Sequence, residues 1–342
     1  MISISVVNSD KSFDRDYMFS QTDESHLLYP LWYLKKELKL RGVEIHTSDI
    51  LPKEQADYIL YNEYPKNNIS GVMDLPSTSD KNRSFLLSLE CPIIRPENYK
   101  LKYHSKFKKV LTWHDDLVAS NDTKYVKSNF CNNLREVNTS NSQRSGFLVC
   151  IASNKKIDAA EELYSERRKV IEWFESINSS DFDLYGNGWG SYKVSSNRWY
   201  RPLNRIFSYL PVNRKTHSSW KGRADNKIEV LSKYKFNLCF ENAKSYPGYI
   251  TEKIFDSFFA GTVPIYWGAP NIEHYIPADC YIDFRKFSDV SDCYDFLKTV
   301  TDDQIIIYQQ SMQRFLESEK SYQFSLECFV DTFLSAVGVT SS

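Results

Sequence analysis

No two cysteines of this chain stand as C-x-x-C, and their number, seven, is odd. That argues against a disulfide framework and against a cysteine-built zinc site. Several of the seven sit in apolar runs, where a reduced thiol packs as a small hydrophobe, so a reducing, cytoplasmic setting is expected. Excess charge is also lacking. The 43 Lys and Arg against 44 Asp and Glu leave a net charge of -1, and nothing electrostatic points to a nucleic-acid partner. No apolar run reaches membrane-spanning length, so no transmembrane segment is expected. The opening MISISVVNSD is too short an apolar run for a signal peptide and has no basic leader. There is no internal repeat and no long low-complexity tract. A dinucleotide fingerprint is missing as well. Gly186-Asn187-Gly188-Trp189-Gly190 follows a strand pattern, but Ser191 stands where G-x-G-x-x-G requires its third glycine, so the run reads as a turn.

What the chain has is length, aromatics and alternation. Its 342 residues suffice for two domains of ordinary size. Aromatics make up 15%, mainly 23 Tyr and 21 Phe, which suit sugar-facing surfaces but serve equally as core. Strand-like runs at 2–7, 43–46, 58–61, 84–89 and 109–113 alternate with helical or loop segments, notably a helical pattern over 27–40. Such βαβ-like alternation predicts an α/β fold with parallel sheets. The stretch 120–145 is polar and rich in Asn, Ser and Thr, and the domain boundary is placed at its end, giving domains 1–145 and 146–342. Beyond it, strands are expected at 147–151, 182–185 and 281–284, helices at 159–175 and 226–234, and mostly helix from 288 to about 337.

The densest information lies in 234–270, YKFNLCFENAKSYPGYITEKIFDSFFAGTVPIYWGAP. Residues 236–240 read as a strand covered on both faces. Glu241 and Asn242 follow, and Pro247-Gly248 marks a turn. Thr251 is placed to cap a helix beginning with Glu252 and Lys253, with Ile254, Phe255, Phe258 and Phe259 on its apolar face. Gly261 suits the position just past the helix end. A helix N-terminus attracts phosphate, and Lys253 adds a full charge there.

FNLCFEN followed by YITEKIFDSFFAGTVPIYWGAP resembles the donor-binding signature of the α-1,3/1,4-fucosyltransferases, glycosyltransferase family 10. The resemblance is dense from 225 to 277, moderate from 147 to 189 and thin before 84. It implies a GT-B fold, two Rossmann-like domains facing across a cleft, with the nucleotide in the C-terminal one and the acceptor in the N-terminal one. It also implies GDP-fucose as donor, an oligosaccharide or lipid-linked glycan as acceptor, and inversion at the sugar carbon. Family members with an N-terminal membrane anchor, or with C-terminal heptad repeats and a basic tail, differ from this sequence. A bacterial, cytoplasmic member is expected, with peripheral placement at the inner membrane face as an alternative.

Displacing a nucleoside diphosphate by a hydroxyl needs a base for the hydroxyl proton and positive groups for the leaving charge. Glu90, at the end of SFLLSL and before Cys91-Pro92, is the candidate base. The resemblance places a glutamate there, typically in Phe-Glu-Ser-Pro, and Cys91 replaces the serine. Ser153-Asn154 matches a family motif that is followed by a diphosphate-binding arginine. Arg167 is assigned that part, with Arg168 adjacent as the alternative. Lys253 is expected on the same diphosphate, Glu252 on the ribose, and Asn242 and Tyr249 in the donor pocket. Tyr246 is expected to stack on guanine or sugar. Glu241 is either a pocket residue or a buried partner of Lys253.

His114-Asp115-Asp116 clusters potential metal ligands, but a solvated strand-end loop is the expected reading. No metal and no cofactor is required, and Mn2+ or Mg2+ is expected at most to stimulate. Three other readings stay open: transfer of another GDP-linked 6-deoxyhexose in O-antigen assembly, a glycan- or nucleotide-binding protein without turnover, and a nicotinamide-dependent oxidoreductase.

Overall fold

A computed structural model describes residues 2–24, 26–65, 75–139, 144–189 and 217–339. The first part of the chain forms a sheet from β1 (Ile2–Asn8), β2 (Val43–Thr47), β3 (Tyr58–Asn62), β4 (Ser84–Ser88), β5 (Lys109–Thr112) and β6 (Tyr125–Lys127). The strands pair in parallel in the order β2-β1-β3-β4-β5-β6. The second part forms another from β7 (Gly146–Ile151), β8 (Phe182–Tyr185), β9 (Tyr234–Phe240), β10 (Val263–Trp267) and β11 (Ile282–Asp283), in the order β11-β10-β9-β7-β8. These strands are also parallel. Parallel strands need crossover segments on the sheet faces, so the central strands are covered on both sides. β4 is buried at every position, and β9 at all but one.

Most expected elements are present, and the departures have local causes. The helix expected over 159–175 begins at Tyr164 and ends at Ser176. β6 lies inside the polar stretch 120–145, where three residues with one fully apolar side chain carry little period-2 signal. The Gly186–Gly190 run does form a turn after β8, and Gly186 and Gly188 sit at φ +131° and +85°; Gly190 lies outside the described residues.

The last helix, Leu326–Val337, belongs in space to the first sheet although it ends the chain. Its Phe329, Val330, Phe333 and Leu334 share a core with Ile4, Val6, Leu34 and Leu38. The first lobe is therefore completed by the chain's end, which the linear division at 145 does not convey. At the start of the second lobe, buried Arg144 donates to the carbonyls of Ser232 (2.9 Å), Tyr234 (3.1 Å) and Ala260 (2.9 Å), pinning the chain's entry to β7.

The lobes are joined around Asp115. Its carboxylate accepts from Lys127 Nζ (2.5 Å) of its own lobe, and from Tyr275 Oη (2.5 Å) and Asn271 Nδ2 (2.8 Å) of the other. The segment at His114–Asp116 is thus neither a metal cluster nor a freely solvated loop. It is an interlobe clamp, and no group of three or more potential metal-binding side chains occurs among the described residues. Gly248 closes the same junction. Its φ is +82°, and a Cβ there would meet Trp113 O at 2.5 Å, so only glycine fits.

Candidate active site

The carboxyl-terminal edges of both sheets open onto one cleft of about 980 Å3 between the lobes. Ligands bind at this edge of open α/β sheets because loops and helix N-termini converge there. Glu90, from the loop after β4, and Lys253, from the helix Glu252–Ala260 after β9, line the same cavity.

Lys253 is built in from below. Glu241, fully buried at the end of β9, accepts from Thr251 N (2.8 Å), Thr251 Oγ1 (2.7 Å) and Lys253 Nζ (3.2 Å). Of the two readings open for Glu241, the buried partner is the one observed. Burial alone would lower the Lys253 pKa, but the Glu241 and Glu252 carboxylates outweigh it and hold the ammonium well above its ordinary value. Thr251 occupies the N-cap position, yet its hydroxyl donates to Glu241 instead of capping, and the helix's first amides receive no side-chain cap from it. The capping expected from sequence is thus replaced by a contact that orders Lys253.

Glu252 lies on the cleft wall, 3.6 Å from Lys253 Nζ. Burial pushes its carboxyl up, but Lys253 and Lys227 overcome this and leave it below the ordinary range, so it is an anionic acceptor at neutral pH. Arg167 also lines the cleft, nearly buried. It donates to Glu241 O (2.8 Å) and Asn242 Oδ1 (3.1 Å), and its Nε has no hydrogen-bond partner among the described residues. Arg168 turns instead to Asn154 Oδ1 (2.9 Å) and the Trp189 ring. Between the adjacent arginines, the cleft is therefore occupied by Arg167.

Asn242 and Tyr249 are in the lining. Tyr249 is buried, with its ring 4.7 Å from that of Trp113 across the lobe junction. Tyr246 is not brought to the cleft. Its ring packs edge-on to His114 at 6.2 Å, at the junction behind Tyr249, because the Pro247-Gly248 turn carries it back toward the first lobe. The stacking part expected of Tyr246 is corrected accordingly.

Glu90 presents an exposed carboxylate to the cleft. Protein nonetheless crowds around it, and this desolvation raises its pKa, opposed by Lys155 and Lys253 and reinforced by Glu252. A carboxylate whose proton affinity is raised in this way, beside cations, fits a general base. Its backbone is held by Glu63, whose Oε1 accepts from the amides of Leu89 (3.0 Å) and Glu90 (2.9 Å).

Sequence reasoning missed Glu63, Lys155, Arg223 and Lys227, all of which line the cleft. Lys155 directly follows the quoted Ser153-Asn154 pair, and Lys227 follows the N-cap Asn226, so both were within reach of those motifs. Glu63 carried no signal, since its role depends on a left-handed backbone at φ +65°.

Asp256 lies one turn along from Glu252, with its carboxylate 3.6 Å from Lys227 Nζ. Burial raises its pKa from 3.8 to about 6, Lys227 opposing and Glu252 adding. The folded chain then keeps a proton that the unfolded chain has released, so this group's contribution to stability declines as pH rises through the window from 3.8 to about 6. Asp256→Asn should remove that component. Melting temperatures of both proteins across the window will check it, and parallel curves would contradict the assignment.

Comparison with known proteins agrees with this geometry. Residues 165–331 match the family described as glycosyltransferase family 10 (fucosyltransferase) C-term. Over 129 residues the chain is 45% identical to the α-(1,3)-fucosyltransferase FucT of Helicobacter pylori, covering 36% of this chain and 27% of that protein. The second lobe belongs to glycosyltransferase family 10. An Arabidopsis thaliana α-(1,4)-fucosyltransferase is 37% identical over 103 residues, covering 30% of this chain and 25% of that protein. The chain thus matches only about a quarter of the length of either curated relative. Among solved structures, an α1,3-fucosyltransferase with GDP aligns over 98% of this chain and 90% of its own, with a TM-score of 0.54 at 17% identity. The DNA-modifying β-glucosyltransferase aligns over 98% and 100%, with a TM-score of 0.56 at 12% identity. The architecture of the chain is GT-B, as expected from the sequence. No helix among the described residues is long and apolar enough to cross a membrane.

Proposed function

We propose that this chain is an inverting α-1,3-fucosyltransferase that moves L-fucose from GDP-β-L-fucose to a GlcNAc or Glc hydroxyl of an oligosaccharide or lipid-linked glycan. The observation that carries the reading is the shared cleft. A carboxylate from the first lobe, Glu90, and a buttressed cation from the second, Lys253, line one cavity between facing sheet edges. The second-lobe wall also carries Lys155, Arg167, Arg223 and Lys227, a density of positive charge suited to a diphosphate.

In this reading Lys253 and Arg167 neutralise charge growing on the diphosphate as the sugar–phosphate bond breaks. Glu252 accepts from the ribose hydroxyls, and Asn242 and Tyr249 shape the pocket. Glu90 takes the proton of the acceptor hydroxyl as it attacks from the opposite face. A single in-line displacement inverts the sugar carbon and needs no covalent intermediate. The side-chain cations supply the charge the leaving group needs, so Mn2+ or Mg2+ is assigned at most a stimulating part. Cytoplasmic residence, with peripheral contact at the inner membrane face for lipid-linked acceptors, belongs to the same proposal.

A second reading shares the site. The same residues would hold another GDP-linked 6-deoxyhexose, because they address the nucleotide and diphosphate more than the sugar. The test is transfer from GDP-fucose, GDP-colitose and GDP-mannose to an arrayed set of glycans. Fucosylation of GlcNAc- or Glc-containing glycans is expected. Transfer only from another donor would select the second reading, and no turnover of any GDP-sugar would end both.

A further inference from the structure

Behind the cleft floor runs a buried polar chain that the reaction scheme does not use. Glu63 sits just after β3 with its side chain packed inside the first lobe, and its backbone is in the left-handed region at φ +65°, a conformation uncommon outside glycine. Its Oε1 accepts from the amides of Leu89 (3.0 Å) and Glu90 (2.9 Å), and its Oε2 accepts from Asn98 Nδ2. Asn98 is fully buried. Its Oδ1 accepts from Tyr64 N (2.7 Å), and its carbonyl meets His104 Nε2 (2.6 Å). His104 Nδ1 in turn meets Tyr125 Oη at 2.9 Å, from β6. From the other side the Tyr99 hydroxyl donates to the Glu90 carbonyl at 2.9 Å. The backbone of Glu90 is thus gripped at both its N–H and its C=O, while its carboxylate is left to the cleft.

Three N–H donors converge on Glu63, and a carboxylate is the only side-chain form that accepts all of them without needing a partner for a proton of its own. Packing alone would be met by an apolar side chain at lower cost, because a buried charge is stable only when its hydrogen bonds are complete. We propose that Glu63 is the positioning residue for Glu90: it fixes the loop that carries the base, and its charge tunes the proton affinity of that base. The inference rests on Glu90 being the base. The groups facing Glu90 are Lys155 from the loop after β7, Glu252 and Lys253 from the donor helix, Arg95 from its own loop, and Glu63 beneath it. Burial and Glu90 itself both raise the Glu63 carboxyl, its hydrogen bonds lower it, and the two carboxylates therefore sense each other's charge.

The test is Glu63→Gln, alone and with Asn98→Asp. The single change removes the charge and sets the glutamine amide against the Asn98 amide, donor against donor. The double change restores a donor–acceptor match and returns one negative charge to the chain. For E63Q, kcat is expected to fall about 10–100-fold with the KM for GDP-fucose nearly unchanged, since a displaced catalytic group costs rate more than donor binding. The acid limb of the pH profile is expected to move down by about half to one pH unit, because a neighbouring negative charge has gone. The double variant should recover most of kcat and return the limb toward its original position. A loss of kcat with an unmoved limb would make Glu63 merely structural, and a double variant that folds but stays impaired would equally overturn the proposal. Failure of the underlying reading looks different, because a fully active Glu90→Gln enzyme would remove the base itself.

Discussion

Glu90→Ala should abolish transfer while leaving GDP binding intact. Removing a general base costs about 10²–10⁴-fold in rate, and the neighbouring first-lobe carboxylate is not free to replace it. Glu63, the nearest, is engaged by three donors and turned into the lobe. Glu90→Gln sharpens the test, because it keeps the shape and loses only basicity. Binding of GDP by calorimetry should stay within about twofold, since Glu90 lies across the cleft from the diphosphate-facing cations and contributes to chemistry more than to nucleotide affinity. The pH profile gives an independent readout. Desolvation raises the Glu90 carboxyl, so the active, deprotonated form is lost as pH falls through a value above the ordinary carboxylate range. The acid limb of kcat/KM should lie correspondingly high and be absent from the residual activity of the glutamine variant. Transfer unchanged in both variants would dismiss Glu90, and GDP binding lost along with transfer would make it a structural residue.

The fold and the helix Glu252–Ala260 were legible because they are written locally. The run FNLCF reads as a strand, Gly261 as the helix stop at φ +66°, and Glu252 and Lys253 as the first helical turn, and each holds in three dimensions. The strand-end position of Glu90 was legible for the same reason, since a strand pattern ends directly before it. Residues whose part depends on distant partners were not. Tyr246 is close in sequence to the cleft-lining Asn242 and Tyr249, but it packs at the junction, where it meets His114 from the other lobe. Asp115 looked like a loop carboxylate because its partners Asn271 and Tyr275 lie more than one hundred and fifty residues on. The final helix carries the periodicity of a helix but no mark of which sheet it covers. Glu63 combines both difficulties, a backbone conformation that sequence does not announce and amide partners that only tertiary folding supplies.

Lys253→Met should damage both transfer and stability, and the two effects should come apart. Loss of a positive group at a developing diphosphate charge costs about 10²–10³-fold in kcat. The same change strands Glu241, which is fully buried and would keep only its two bonds from Thr251. An uncompensated buried carboxylate costs about 3 kcal/mol, somewhat less here because the Lys253 side chain is itself partly open to the cleft. Adding Glu241→Gln removes the stranded charge while keeping an acceptor for the Thr251 amide. The double variant should therefore melt close to the original protein yet remain inactive, because stability depends on the match between positions 241 and 253 and turnover depends on the cation alone. Melting curves and transfer rates on the original protein, the single variant and the double variant separate the two roles. If the double variant regained transfer with its stability, Lys253 would be a structural counter-ion and the diphosphate would have to be held by Arg167 and Lys155. If the single variant kept its melting temperature but lost transfer, the Lys253–Glu241 pair would add nothing to stability and Lys253 would act in turnover alone.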